Sequence, residues 1–327
     1  MSFLINTAKF ILYFYFFLYA VFHFVIYKYP NVAPYLIFQN TVKWPFTNLS
    51  HPIHYGLENV HNFYFQTNDG LKIGVWHYLP DGHSYDYTKH SSRSNTEHLK
   101  TFLSKSKKNP VLIYVHGNDR DRSTPFRIEL CKNLVNLGFH VFALDYRGYG
   151  DSAGYPTEMG VVSDVLDLYK LILTHHADGR VYLYGHSLGT AIVCHASKLI
   201  SNMKSRLDGV ILEAPLLNAS RASRDYHVSL AFNNNKWIQQ KVDEALESQN
   251  IHFRSDMHIT EINSKILIMH AKDDTFVPYS HGEELYNLAK KSKRDVKLVS
   301  FEKDLSLGHF LQSHLPIYDH IKEMIKK

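Results

Sequence analysis

Cysteine is scarce. Only Cys131 and Cys194 occur in 327 residues. Each lies in a predicted helix, where a thiol reads as a small buried apolar side chain. Two such residues do not report the redox compartment. Zinc-type spacing of His and acidic residues is missing, and so is any His-Glu-x-x-His run, so no metal is expected. A Gly-rich phosphate loop is missing too. Gly148-Tyr149-Gly150 stops short of Gly-x-Gly-x-x-Gly and reads as a strand-to-helix turn. No cofactor is expected. The net charge is a mild +5. No basic stripe with interleaved aromatics appears, so a nucleic-acid partner is not expected. Internal repeats and coiled-coil heptads are absent.

One long hydrophobic run stands out. Over residues 10–27 the only polar side chains are tyrosines and His23, and Lys9 and Lys28 bracket the run. About 18 such residues can cross the bilayer hydrocarbon as a helix. A cleaved signal peptide would have a shorter apolar region and a small-residue cleavage site, and none is present. A buried core helix at an extreme terminus fits poorly. The expectation is an uncleaved, single-pass N-terminal membrane anchor over 1–28 and a juxtamembrane connector over 29–59. The connector is rich in the Tyr and Trp types that favour interfaces. Positive charges flank the anchor about equally and do not orient it. The sequons at Asn48 and Asn218 are usable only if the body faces a lumen.

The remainder, 60–327, suits one large α/β domain. A predicted hairpin over 60–79 turns at Asn68-Asp69-Gly70. A polar stretch over 81–109 reads as an exposed loop. From Val111 onward, apolar strand runs (111–115, 139–146, 180–184, 209–213, 265–270, 296–301) alternate with helical patterns (125–137, 158–175, 279–291, 311–325). That alternation implies a mostly parallel central sheet with helices on both faces. The segment 214–264 is an insertion long enough to serve as a cap. A pair of packing helices without substrate contact is the other reading of it.

One motif carries chemistry. The 181–184 strand runs into Gly185-His186-Ser187-Leu188-Gly189, and a helix-compatible run follows. Gly-x-Ser-x-Gly between a strand and a helix is the nucleophile elbow of an α/β-hydrolase. A serine needs a base within reach and a third group to orient that base. In this fold they follow in the order Ser, acid, His. The 265–270 strand ends in Asp273-Asp274; the spacing His-x-x-x-Asp-x-x-Val-Pro favours Asp274 over Asp273 as the acid. Among 22 histidines, His309 stands after the last strand and before the last helix, where the base belongs. His314 falls inside that helix, and Asp304 reads as a loop cap. An oxyanion hole needs two backbone amides. Leu188 supplies one, and Asn118, in the loop opened by His116-Gly117, is the candidate for the other.

These motifs have a specific likeness. His116-Gly117-Asn118 with Arg122, Asp145-Tyr146-Arg147-Gly148-Tyr149-Gly150-Asp151-Ser152, Tyr184 to Thr190, Leu212-Glu213-Ala214-Pro215 and His270-Ala271-Lys272-Asp273-Asp274 together resemble the membrane-anchored lysophosphatidylserine lipase and monoacylglycerol lipase family of α/β-hydrolases. The resemblance covers most of the chain after Val60. It implies an endoplasmic-reticulum membrane protein with a lumenal catalytic body, and a triad of Ser187, Asp274 and His309. The chain departs from the family at Asn118-Asp119-Arg120, where the family is smaller and glycine-bearing. That departure bears on head-group preference. The cap matches loosely, which bears on substrate identity. The expected activity is hydrolysis of acyl esters of single-chain lipids at a bilayer. Two other readings stay open: a palmitoyl-protein thioesterase, and an inactive membrane-tethered binding protein on a hydrolase scaffold. Protein partners are not identified by any motif.

Overall fold

Strand runs that are apolar on both sides must be covered on both sides, and the computed structural model of the chain shows how. It describes residues 2–29, 33–41, 47–80, 95–103, 109–226, 235–311 and 314–326. The strands are β1 (Val60–Gln66), β2 (Lys72–Tyr78), β3 (Val111–Val115), β4 (His140–Asp145), β5 (Val181–His186), β6 (Gly209–Glu213), β7 (Lys265–Ala271) and β8 (Val296–Phe301). They form one eight-stranded sheet in the order β1-β2-β4-β3-β5-β6-β7-β8. The β1–β2 and β2–β4 pairs are antiparallel, and every pair from β4–β3 to β7–β8 is parallel.

Alternate residues of each strand feed two cores, as the two-residue repeat of a strand requires. In β3, Val111, Ile113 and Val115 pack with Val165, Leu168 and Ile172 of α5 (Glu158–His175) and Ile192 and Cys194 of α6 (Leu188–Asn202). Leu112 and Tyr114 face the other way. They pack with Leu130 and Leu134 of α4 (Pro125–Asn136) and Ile317 and Ile321 of α11 (Pro316–Lys326). Both cysteines are free and buried. Helix α5 starts where Thr157 caps it, its side chain accepting from Gly160 N–H. Helix α11 begins later than the pattern suggests, since the residue before a proline is biased away from helix and Pro316 suits a first helical position.

The insertion between β6 and β7 is built from α7 (Ala219–Asp225), α8 (Lys236–Ser248) and α9 (Ser255–His258). Residues 227–234 of it lie outside the described residues. Helix α10 (Ser280–Lys291) follows β7. Asn218 is half-buried, caps α7 through its side-chain oxygen and donates its amide to Asp256 at 3.2 Å. Asn48 is exposed.

Three expectations need correction. The stretch read as an exposed loop over 81–109 contains helix α3 (Asn95–Leu103), with Leu99, Phe102 and Leu103 buried; 81–94 and 104–108 lie outside the described residues. The connector is not merely a surface segment. It carries helix α2 (Ala33–Phe38), and Phe38, Leu49 and Leu57 are core residues. Phe38 packs edge-on against Phe253 of the cap segment at 5.8 Å, and its carbonyl lies within hydrogen-bond reach of Tyr149 Oη. Trp76 Nε1 donates to Leu49 O at 2.8 Å.

The third correction concerns the N-terminal transmembrane helix. Helix α1 (Ser2–Lys28) does occupy the apolar run. Among the described residues, however, no helix is long and apolar enough to cross a membrane. Nor does the helix stand clear of the body. It packs on α8, and Asn235 Nδ2 donates to Tyr19 Oη at 3.3 Å.

Candidate active site

The parallel strands end on one rim, and the predicted site residues sit in the loops that leave it. β5 ends at His186, and Ser187 takes φ 53°, ψ −121° before α6 opens at Leu188. A residue with a side chain adopts that backbone only when its surroundings enforce it. Here the enforcement is steric. A Cβ on Gly185 would sit 2.5 Å from Gly189 O, and one on Gly189 would sit 2.1 Å from Val115 O. Strand, turn and helix can close this tightly only with glycine at both places. Ser187 N–H donates to Glu213 O at 3.0 Å, tying the turn to the end of β6.

The acid and base candidates meet although 35 positions separate them. His309 Nδ1 and Asp274 Oδ2 are 2.8 Å apart, both buried. The other carboxylate oxygen, Oδ1, accepts from Phe276 N–H at 2.8 Å and Val277 N–H at 2.9 Å. His270 Nε2 lies 3.2 Å from Oδ2. Burial pushes the Asp274 carboxyl up, but hydrogen bonds from His270 and His309 outweigh it and hold the group well below the usual carboxylate range. Asp273 is turned elsewhere, accepting from Gly308 N–H at 3.0 Å and so fixing the turn that delivers His309. His314 packs edge-on against Phe301, away from this pair. Asp304 is exposed in a short 3-10 turn.

The loop after β3 comes close to the elbow: a Cβ on Gly117 would touch Ser187 Cβ at 3.4 Å. Tyr146 Oη donates to Gly117 O at 2.8 Å. In a trans peptide C=O and N–H point to opposite sides, so this bond turns the Asn118 N–H away from Tyr146. Tyr149 Oη, whose proton goes to Phe38 O or to Asn118 O, lies 3.0 Å from Asn118 O. The loop's far end is held by Arg122, which donates from its backbone to Asp145 at 2.7 Å and from its guanidinium to Asp145 at 2.5 Å and Asp151 at 2.7 Å. Leu188 opens α6, where the first amides have no acceptor within the helix.

Ser187, His309, Asn118 and Leu188 line one cavity of about 960 Å³, large enough for a sizeable apolar ligand. Leu216, Ile238 and Val242 of the insertion, Phe253 and Val277 also line it. Described residues of the insertion thus share this cavity with Ser187 and His309. Among the described residues no cluster of His, Cys, Asp and Glu is arranged to hold a metal ion.

Three residues near the site stand in the quoted motifs, but the sequence assigns them no role of their own. His270, in β7, braces Asp274. His186, the variable residue before the serine, is buried, and its Nε2 lies 3.1 Å from His309 O. Burial, then the nearby His309, pushes its pKa down to about 3, so it stays neutral and donates. Glu213 is the third. It ends β6, fully buried, with Oε2 accepting from Tyr184 Oη at 2.6 Å and Oε1 from Leu311 N–H at 3.0 Å. One residue thus holds the serine turn through its carbonyl and the histidine loop through its carboxyl. Burial pushes Glu213 up to about 7, from an ordinary 4.5.

That shift has a consequence for stability. Between pH 4.5 and 7 the folded chain holds a proton that the unfolded chain has lost, so this group's contribution falls as pH rises through that window. Gln cannot ionise. The stability of Glu213→Gln relative to wild type is expected to improve from pH 4.5 to pH 8 by up to about 3 kcal/mol. Urea midpoints of both proteins at the two pH values measure it; a difference independent of pH contradicts it.

Comparison with solved structures supplies the fold class. An alpha-beta hydrolase from Vibrio vulnificus superimposes with a TM-score of 0.62 at 15% identity, covering 84% of each chain. An esterase from Pyrococcus furiosus gives 0.60 at 16%, covering 84% of this chain and 93% of that one. The sheet order, the elbow and these likenesses define an α/β-hydrolase. The family described as serine aminopeptidase, S33 matches residues 106–257. Lysophosphatidylserine lipase ABHD12 of Danio rerio is 34% identical over 285 residues, 86% of this chain and 73% of that protein. The Bos taurus protein of the same name is 34% identical over 304 residues, 91% of this chain and 75% of its own. Protein ABHD12B of Homo sapiens is 33% identical over 270 residues, 81% of this chain and 73% of its own. The chain belongs to the ABHD12 family, whose named members include lipid ester hydrolases.

Proposed function

We propose that this chain hydrolyses acyl esters of single-chain lipids, monoacylglycerols and lysophospholipids, with lysophosphatidylserine favoured, through an acyl-enzyme on Ser187. The observation that carries the reading is the buried Asp274–His309 pair, whose histidine lines, together with Ser187, a largely apolar cavity bordered by the insertion. With Nδ1–H held by Asp274, His309 presents its Nε2 lone pair as the base. Nε2 takes the Ser187 proton as Oγ attacks the ester carbonyl. The Asn118 and Leu188 amides receive the developing oxyanion. The alcohol leaves with the proton from His309, and a water activated by the same nitrogen releases the fatty acid.

The lining supports an acidic head group. Arg120 and Arg224 border the cavity, and the one acidic lining residue among the described residues, Asp119, is already matched by Arg120 at 2.7 Å and Arg127 at 2.9 Å. Contact with a bilayer is supported by the exposure of Phe10, Phe14, Phe17 and Phe24 along α1, an apolar surface suited to lipid rather than water. We place the body in the endoplasmic-reticulum lumen, on the family resemblance and the exposed Asn48 sequon. A panel of lysophosphatidylserine, monoacylglycerol and an S-palmitoyl peptide, given to purified full-length chain in mixed micelles, tests the reading. Turnover is expected in that order. Preference for the thioester would favour a depalmitoylase, and no turnover at all by a folded preparation would leave only a binding role.

A further inference from the structure

The N-terminal helix does more than lie beside the body. Tyr15, Leu18, Tyr19, Val21 and Val25 of α1 border the same cavity as Ser187. The steps from Tyr15 to Leu18, Tyr19 and Val25 keep these side chains on one side of a helix. Leu18 and Val25 lie two turns apart, about 10 Å along the axis. None of the five carries a charge, whereas the charged lining residues Asp119, Arg120 and Arg224 come from the β3 loop and the cap. The cap meets α1 here through α8, whose Ile238 and Val242 border the cavity and whose capping residue Asn235 donates to Tyr19.

We propose that this side of α1, with Ile238 and Val242 of the cap, forms the acyl-chain site and sets the chain length the enzyme accepts. The inference rests on the ester-hydrolase reading above and adds the place of the alkyl chain to it. Apolar surface that lines the cavity onto which Ser187 opens is the surface an alkyl chain can cover. Each methylene so buried contributes about 0.8 kcal/mol. A substrate drawn from a lipid surface would thus have its tail received by the helix that faces that surface. The alcohol is left toward the arginines.

The test is the ratio of kcat/KM for p-nitrophenyl stearate to that for p-nitrophenyl butyrate. It is measured on the full chain in one mixed-micelle composition. Leu18→Trp and Val25→Trp put bulk into the track, and each is expected to lower the ratio by roughly tenfold. Phe16→Trp changes an exposed residue outside the lining and is expected to leave the ratio within twofold. Labelling by a fluorophosphonate shows that each variant is folded. An unchanged ratio in folded Leu18→Trp and Val25→Trp overturns the inference. So does an equal fall in Phe16→Trp, which would point to micelle contact instead. If wild type hydrolyses neither ester, the ester-hydrolase reading falls first and this inference with it.

Discussion

Ser187→Ala is expected to lower kcat for ester hydrolysis by a factor on the order of 10⁶, with KM little changed. The argument is chemical. The elbow, the amides of Asn118 and Leu188 and the His309–Asp274 pair all survive the substitution, but no oxygen remains to attack the carbonyl. Residual catalysis comes only from binding and oxyanion stabilisation. The fold is expected to persist, because alanine and serine tolerate φ 53° about equally. Circular dichroism and turnover of p-nitrophenyl butyrate check both halves. Loss of activity with loss of fold would prove nothing; activity within tenfold of wild type in a folded variant removes Ser187 from the mechanism.

Asp274→Asn is expected to cost about 10⁴ in kcat, and also some stability at neutral pH, because the lowered carboxyl pKa means the ionised group stabilises the fold. The Asp274 carboxylate has two distinct tasks. Oδ1 accepts the Phe276 and Val277 amides. Oδ2 accepts from His309 Nδ1. An asparagine keeps its carbonyl oxygen toward the two backbone amides, since reversing it would set donors against donors. Its NH₂ then faces His309 Nδ1, which must become an acceptor. The imidazole proton moves to Nε2, and the nitrogen needed as base is no longer available. Asp273→Asn provides the contrast: its oxygen still accepts Gly308 N–H, and activity is expected to stay within about tenfold. If the two variants behaved alike, the assignment of the acid would be wrong.

The fold was legible where its signals are local. The elbow announces itself because only glycine fits at 185 and 189, and β3 and β5 read as uninterrupted apolar runs because both their faces are covered. The candidates Asp274 and His309 were found by their places at strand ends, and the structure brings them into hydrogen-bond contact. The rest depends on contacts across long stretches of chain. His186 meets His309 over 123 positions and Glu213 meets Leu311 over 98. No spacing rule links such pairs, and a lone buried Glu at a strand end looks like any other until its partners are known. What the N-terminal run packs against was hidden for a related reason. Its hydropathy is local, but what it packs against is not, and the packing of α1 on the cap has no signature in the run itself. The short helix at Asn95–Leu103 was hidden by its polar flanks.

The most direct measurement is the site of covalent labelling. Full-length chain treated with a fluorophosphonate, digested and mapped by mass spectrometry, is expected to carry one adduct, on Ser187, rising in step with loss of ester hydrolysis. An adduct on another residue accompanying inactivation, or full inactivation with Ser187 unmodified, would contradict the account.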